Sequence, residues 1–148
     1  VVSGGKEGAP ANVDNEDLRP LTDRLKGLRL TALSARGARL VGVDLTGVHL
    51  QGAALDGADL RAAILTQADL RGARMAGCDF SKADLEIEIA ILGDGKTREW
   101  PPRFNGCKLE ETNFKDVKAT RLIATSVITK KIIADDAFLK LLAAGATS

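Results

Sequence analysis

Five aspartates stand at regular intervals through the middle of the chain, each directly before a leucine or a phenylalanine: Asp44, Asp59, Asp69, Asp79 and Asp84. Paired carboxylates of this kind are the groups that general acid–base catalysis uses. Their separations are all multiples of five residues, however, which indicates a structural repeat. We therefore expect these side chains to decorate a surface or to bond the backbone near a turn, and we predict no catalytic residue among them.

A second motif with possible chemistry is the run 90–97 (AILGDGKT), which ends in Gly-Lys-Thr as phosphate-binding loops do. Ala90 occupies the place of the required first glycine, and Trp100, Pro101 and Pro102 follow too soon for a helix to form. Without a helix N-terminus, an anion site lacks half of its donors. The run therefore predicts a hairpin turn, and we expect no nucleotide or other cofactor.

Thiol and metal chemistry depend on Cys78, Cys107 and the single histidine, His49. Two thiols and one distant imidazole are too few ligands for a metal site. If the coils described below keep their phase so that the cysteines stack, about 4.8 Å apart, a disulfide is possible. If the phase slips by one side they cannot meet, and we expect buried free thiols that act as small apolar residues. His49 is predicted to be a solvated surface residue.

The element that positions all these groups is a repeat with a period of five residues. A large apolar residue recurs at every fifth position from Leu30 to Leu85, and a smaller apolar residue stands two positions before each. Neither the 3.6-residue period of a helix nor the two-residue period of a strand produces this pattern. It indicates a chain that turns a corner every five residues, so that four sides close a coil of about 20 residues.

Three stretches match the A(D/N)LXX motif of the pentapeptide-repeat family letter for letter: Ala58-Asp59-Leu60, Ala68-Asp69-Leu70 and Ala83-Asp84-Leu85. The sequence therefore resembles that family, strongly over 30–85 and more weakly over 104–129. The resemblance implies an all-β solenoid, a right-handed quadrilateral β-helix of about four to five coils. A narrow interior also suits a composition with only 3% aromatic residues.

The pattern divides the chain into six segments. It breaks after Leu85, where apolar and charged residues alternate around Gly93-Asp94-Gly95, and this predicts a projecting hairpin. Helices with apolar faces are expected at both ends because a solenoid must cover its exposed cross-sections. In order, the segments are a flexible tail (1–14), a helical cap (15–27), the repeat coils (28–85), the hairpin (86–103), degenerate coils (104–134) and a helical cap with its tail (135–148).

Bulk charge excludes some classes of partner. The net charge is +1, and no apolar run approaches the length of a membrane span, so neither nucleic acid nor a transmembrane segment is predicted. Some members of the family mimic DNA and shield topoisomerases, which is the alternative function. That activity needs a strongly negative rod, whereas 28–85 carries seven basic and six acidic residues.

These observations predict a non-enzymatic interaction scaffold or an accessory subunit of a larger, photosynthetic complex. Candidate contact residues are Trp100 and Arg98 in the hairpin, and Val41 and Ile64, apolar residues at outward positions. The resemblance to small lumenal members of the family, together with a start at Val1, suggests the thylakoid lumen after removal of a targeting peptide. The alternative compartment is the bacterial cytoplasm.

Overall fold

The computed structural model describes residues 11–86 and 88–146, and of residues 88–91 and 100 it describes the backbone alone. Its core is a β-solenoid in which each outward residue forms a parallel bridge with the residue one coil further on, as Arg39 does with Asp59 and Asp59 with Asp79. Because the sides are five residues long, four columns of outward residues run along the rod. They are side A (Arg29, His49, Asp69, Arg103, Ile123), side B (Ser34, Ala54, Arg74, Lys108, Ile128), side C (Arg39, Asp59, Asp79, Asn113, Ile133) and side D (Asp44, Ile64, Asp84, Lys118).

The corners of the regular coils up to Thr112 are β-turns closed by a backbone hydrogen bond, such as the 3.1 Å bond from the Val48 amide to the Leu45 carbonyl. The residue two positions after the large apolar residue has a positive φ, 67° at Gly47. Glycine adopts this conformation without steric cost. Ala62 adopts it with φ 57° and Gln67 with φ 61°, so some corners carry a local strain of roughly 1 kcal/mol that coil stacking must offset.

The interior is narrow and dry. The predicted inward leucines and alanines from Leu30 to Leu85 are buried, and Phe80, Phe104 and Phe114 fill the later coils. Phe80 and Phe114 stack with their ring centroids 5.2 Å apart. Within 28–85, Leu28 is the exception among the predicted inward residues, since it begins side A at the first coil and remains 39% exposed. The predicted alternation of a large and a small inward residue therefore produces the core.

The hairpin forms where the repeat breaks. Strand β1 (Glu88–Ile91) pairs with β2 (Thr97–Trp100) in antiparallel register, with Ala90 opposite Arg98. The turn between them is closed by the Leu92 amide on the Lys96 carbonyl at 2.7 Å, and Gly95 has a φ of 80°. The stretch that resembled a phosphate-binding loop is thus a hairpin, and strand β2 follows directly where a phosphate-binding loop would lead into a helix.

The hairpin leaves the coil register intact. Asp69 pairs with Arg103 and Asp84 pairs with Lys118, so each of these bridges joins residues that are separated by the hairpin as well as by one coil. The insertion therefore lengthens a single corner, between side D and side A, and the next coil continues on the same columns. Two further strands, β3 (Asn113–Phe114) and β4 (Ile133–Ala134), pair in parallel on side C.

The N-terminal end differs from the prediction. The helix expected within 15–27 is reduced to a 3-10 turn (Arg19–Leu21) followed by α1 (Thr22–Leu25). Asn12 and Asp17 instead bridge Ser34 and Arg39 as part of the coil. Local bonds explain this outcome, because the Asp14 carboxylate accepts from the Ser34 hydroxyl at 2.7 Å and from the Arg36 amide at 2.9 Å. The predicted tail is thus wrong for 11–14, and 1–10 lies outside the described residues.

The C-terminal helix α2 (Asp136–Gly145) begins where the sequence predicts, after Asp135. Phe138 stacks on Phe114 with ring centroids 4.5 Å apart, which joins the helix to the core. Gly145 is the last residue of the helix and is buried. A Cβ at Gly145 would lie 2.7 Å from the Leu122 carbonyl oxygen, so glycine is required there for close packing against the last coil.

The phase-preserving insertion yields a prediction about folding. Deleting 88–101 together with Ile87→Gly restores the spacing of the regular coils and gives the corner the glycine that Gly47 has, so the remaining coils should stay stacked. We expect the circular dichroism of the shortened chain to remain that of a β-solenoid, and its urea midpoint to fall only slightly below that of the parent, because Pro102 cannot donate the amide bond that closes the equivalent corner at Val48.

The control is a deletion one residue shorter, 88–100, which shifts the register of every later coil. Such a slip moves inward side chains outward and should strongly destabilise the coils after the hairpin. Equal stability of the two deletions would contradict the register as described.

Candidate interaction groove at the base of the hairpin

Side A presents polar residues to the end of the hairpin. Its outward residues Arg29, His49, Asp69 and Arg103 stack in successive coils, about 4.8 Å apart. The chain returns from β2 directly into this column, because Arg103 lies three residues after Trp100. The end of β2 therefore lies beside side A.

A groove of about 370 Å³ separates the two elements. The solenoid forms one wall of the groove with Gly47, His49, Gln67 and Asp69, and β2 with the residues that follow it forms the other wall. That second wall consists of Arg98, Glu99, Pro101 and Arg103. Both cationic and anionic side chains thus face one concave surface.

Asp69 is the most buried charged residue on side A, with an exposed fraction of 8%. Arg71 binds its carboxylate in a bidentate manner, with Nε 2.9 Å from Oδ1 and Nη2 2.7 Å from Oδ2. The side-chain amide of Gln51 donates to Oδ2 at 2.9 Å. Burial alone would raise the pKa of Asp69, but the hydrogen bonds from Arg71 outweigh it and hold that pKa below its ordinary value.

The same arrangement recurs at other corners. The aspartate of a repeat accepts a hydrogen bond from the backbone amide two residues later, and Arg61 also binds Asp59 through two side-chain bonds of 2.8 and 2.7 Å. Asp79 accepts in the same way from the amide and the hydroxyl of Ser81. The structure thus places the repeat aspartates as corner bonds, as their regular spacing predicts.

Glu99 is the second carboxylate of the groove. Arg121, one coil further along the rod, donates to it from Nη1 at 2.8 Å and so ties β2 to the last part of the solenoid. On the other arm of the insertion, the Thr120 hydroxyl donates to the carboxylate of Glu86. Both ends of the hairpin are therefore held by the coil above it.

The sequence analysis did not identify this groove. His49, predicted as a solvated surface residue, is half-buried in it, with Nδ1 3.5 Å from the Gln51 amide nitrogen. Asp69 and Arg103 are separated along the chain by the whole hairpin in addition to one coil, so the repeat period alone does not bring them together. The sequence signal that could have identified the groove is the length of the insertion, because this length places Arg103 in the same column as Asp69.

The three predicted contact residues whose side chains are described do not form one surface. Arg98 lines the groove beside side A. Ile64 lies on side D between Asp44 and Asp84, and Val41 lies in the corner after Leu40; both are half-buried. The side chain of Trp100 lies outside the described residues, so its contact role stays a prediction.

The two cysteines lie on different sides of the rod. Thr112 occupies the position one coil above Cys78, while Cys107 lies above Ala73. Both are buried free thiols. Each donates a hydrogen bond to a backbone carbonyl, Cys78 to Leu55 at 2.7 Å and Cys107 to Leu70 at 2.8 Å. Burial raises the pKa of each thiol to about 12.

Residues 11–86 and 88–146 contain neither a metal-binding cluster nor a membrane-spanning helix. No group of three or more histidine, cysteine or acidic residues there could hold a metal ion. In the same residues, none of the helices has both the length and the apolar character that crossing a bilayer would require.

Square coils with five-residue sides and inward leucines define a β-solenoid built of pentapeptide repeats. The profile described as pentapeptide repeats matches the chain in eight copies, over residues 24–61 and 53–86. Residues 24–86 thus carry the repeats of the pentapeptide-repeat family. Comparison with the curated proteins finds none that matches it.

Several solved structures of this family are similar to the chain. A pentapeptide-repeat protein from the thylakoid lumen of Arabidopsis thaliana is 18% identical, with a TM-score of 0.47, over 88% of this chain and 68% of that one. HetL of the cyanobacterium Nostoc, involved in the regulation of heterocyst differentiation, is 26% identical, with a TM-score of 0.39, over 85% and 46%. QnrB1, a plasmid-mediated fluoroquinolone resistance protein, is 13% identical, with a TM-score of 0.31, over 90% and 96%.

The Asp69 bonds predict a pH-dependent contribution to stability. Because the folded-state pKa is lowered, the stabilisation is present above the unfolded value near 3.8 and is lost as the pH falls through the folded value. Asp69→Asn should lower the free energy of unfolding by about 1–2 kcal/mol at neutral pH, with a smaller difference from the parent below about pH 4.

The matched control is Asp59→Asn. Asp59 is bound by Arg61 as Asp69 is bound by Arg71, but its side chain is 29% exposed against 12% for Asp69. The loss of stability should therefore be smaller. Urea unfolding across the pH range measures both variants. Equal losses would be inconsistent with a stronger contribution from the more buried carboxylate. A loss at Asp69 that does not change with pH would be inconsistent with hydrogen bonds to its ionised form as the cause.

The thiols yield a separate prediction. Since burial holds both in the neutral form at pH 8, iodoacetamide should label neither cysteine in the folded protein and both after unfolding in urea. Mass spectrometry of the labelled chain measures this. A disulfide between Cys78 and Cys107 formed by the native protein under mild oxidation would refute their placement on different sides.

Proposed function

We propose that this chain is a non-enzymatic scaffold that docks on another protein as an accessory subunit, with the hairpin and the groove at its base as the docking element. The observation that carries the proposal is the placement of the hairpin, which lengthens one corner without disturbing the coil register. The insertion is therefore not needed to build the core. An element that projects from a regular rod and is tied to it by Glu99 and Arg121 is suited to recognition.

The state of the groove carboxylates supports a binding role over catalysis. Arg71 binds Asp69 and holds its pKa low, and Arg121 binds Glu99. A general acid or base needs a pKa near the working pH and access to its substrate. Asp69 is not prepared in this way, and Glu99 is already engaged by Arg121.

The charge pattern favours a protein scaffold over a DNA mimic. Side A mixes cationic and anionic residues, and side C places Arg39 in one column with Asp59 and Asp79. A polyanion mimic needs a continuous negative surface, which mixed columns do not provide. The thylakoid lumen stays a prediction from the sequence, as does membership of a photosynthetic complex.

The test of this function is the native mass of the chain in a gently lysed extract of its source, followed with an antibody. We expect migration far above its own 15.6 kDa. The shortened chain, deleted for 88–101 with Ile87→Gly, should migrate as the free protein because it keeps the rod and lacks the docking element.

A control variant on another surface separates docking from general charge. Lys130→Glu with Lys131→Glu alters a corner between sides B and C and should leave the large complex intact. A parent chain that runs as a monomer in every mild condition would overturn the scaffold proposal. A complex retained by the shortened chain would overturn the assignment to the hairpin.

A further inference from the structure

We propose that the groove binds an extended, acidic peptide segment of the partner, which adds as a third strand to the outer edge of β2 and directs carboxylates toward Arg103. The inference rests on the proposed scaffold function and names the chemistry of the partner. It follows from two independent features, the charge around the groove and the free strand edge that lines it.

The first feature is an excess of positive charge. The two carboxylates in the lining, Asp69 and Glu99, are each bound by an arginine from outside it. Leaving aside Arg98, which has interactions of its own, Arg103 adds a further guanidinium group to the lining itself. Three arginines thus meet two carboxylates, and Arg29 lies in the same column one coil beyond His49. An anionic ligand complements this surface.

Arg103 is the centre of this charge. It is exposed on side A, and among the described residues no carboxylate lies within ion-pair distance of it. Asp69 lies beside it in the column, close enough to feel its charge, but the carboxylate is already engaged by Arg71. An incoming carboxylate therefore meets an arginine whose hydrogen-bond donors are directed to solvent.

The second feature is the edge of β2. The hairpin is a two-stranded sheet, so β2 has β1 on one side and no strand on the other among the described residues. The Leu92 amide bonds the Lys96 carbonyl, and hydrogen-bonded pairs alternate in an antiparallel hairpin, so Arg98 is bonded to Ala90. The backbone amide and carbonyl of Glu99 then point away from β1, toward the outer edge.

The groove lining shows that this edge faces side A. Arg98 and Glu99 are consecutive and both line the groove, whereas the side chains of consecutive strand residues point to opposite faces. A strand that presents neighbouring residues to one cavity presents its edge. An extended peptide added there gains main-chain hydrogen bonds from β2 and charge contacts from Arg103.

The probe for this inference is a short fluorescent peptide of alternating glutamate and threonine, titrated with the full chain by fluorescence anisotropy. We expect saturable binding, no binding of the matched glutamine–threonine peptide, and at least about tenfold weaker binding by Arg103→Glu. Arg103→Gln should show an intermediate loss, and its urea midpoint shows that the fold is retained.

Lys108→Glu is the matched control, since Lys108 occupies the equivalent outward position one side further on in the same coil. It changes the net charge by the same amount outside the groove, and its affinity should stay within about twofold of the parent. A loss equal to that of Arg103→Glu would show diffuse attraction and overturn the site. The absence of saturable binding would overturn it as well.

Strand addition is tested with the same acidic peptide N-methylated at alternate amides, which removes main-chain donors and keeps the charges. Its binding should be at least about tenfold weaker, and equal binding would overturn the β2 edge as the contact. A native complex that depends on the hairpin while the acidic peptide fails would leave the scaffold function and reject this partner chemistry. Peptide binding without any native complex would support this partner chemistry and reject the scaffold function.

Discussion

The backbone register between coils is the constraint on which the rest of the molecule depends. The Leu50 amide bonds the Asp69 carbonyl while the Asp69 amide bonds the Val48 carbonyl, each at 2.8 or 2.9 Å, and this exchange recurs on every side. A gain or loss of one residue in any coil would turn inward side chains outward in all coils that follow. Corners, core and groove are consequences of keeping that spacing.

The polar residues at inward positions show how the constraint is met inside a dry core. Thr112 takes the position of a small apolar residue and donates its hydroxyl to the Met75 carbonyl at 2.8 Å. The two thiols make the corresponding bonds to Leu55 and Leu70. A small side chain with one donor fits here because a carbonyl of the neighbouring coil lies within reach, so burial leaves no unpaired hydroxyl.

The coil, the hairpin and the start of α2 could be predicted from the sequence because each has a local cause: a five-residue period, a Gly-Asp-Gly turn between alternating residues, and Asp135 before an apolar face. The N-terminal helix could not, because Asp14 makes its decisive bonds to Ser34 and Arg36, a coil away. The close packing of Gly145 against Leu122 could not be predicted either, because it depends on a contact with the last coil. Predicting the groove would have required the coil register across the insertion, because that register places Asp69 beside Arg103.

The hairpin insertion also divides the chain into two parts that differ in how much sequence change they tolerate. The close-packed core limits substitutions in the coils, because an inward residue such as Leu60 or Ala63 tolerates little change of size. The segment 88–101 lies outside the core, and the coils on either side of it keep the same columns. Its sequence can therefore change while the solenoid stays the same, so that a single corner can carry loops of different length and composition.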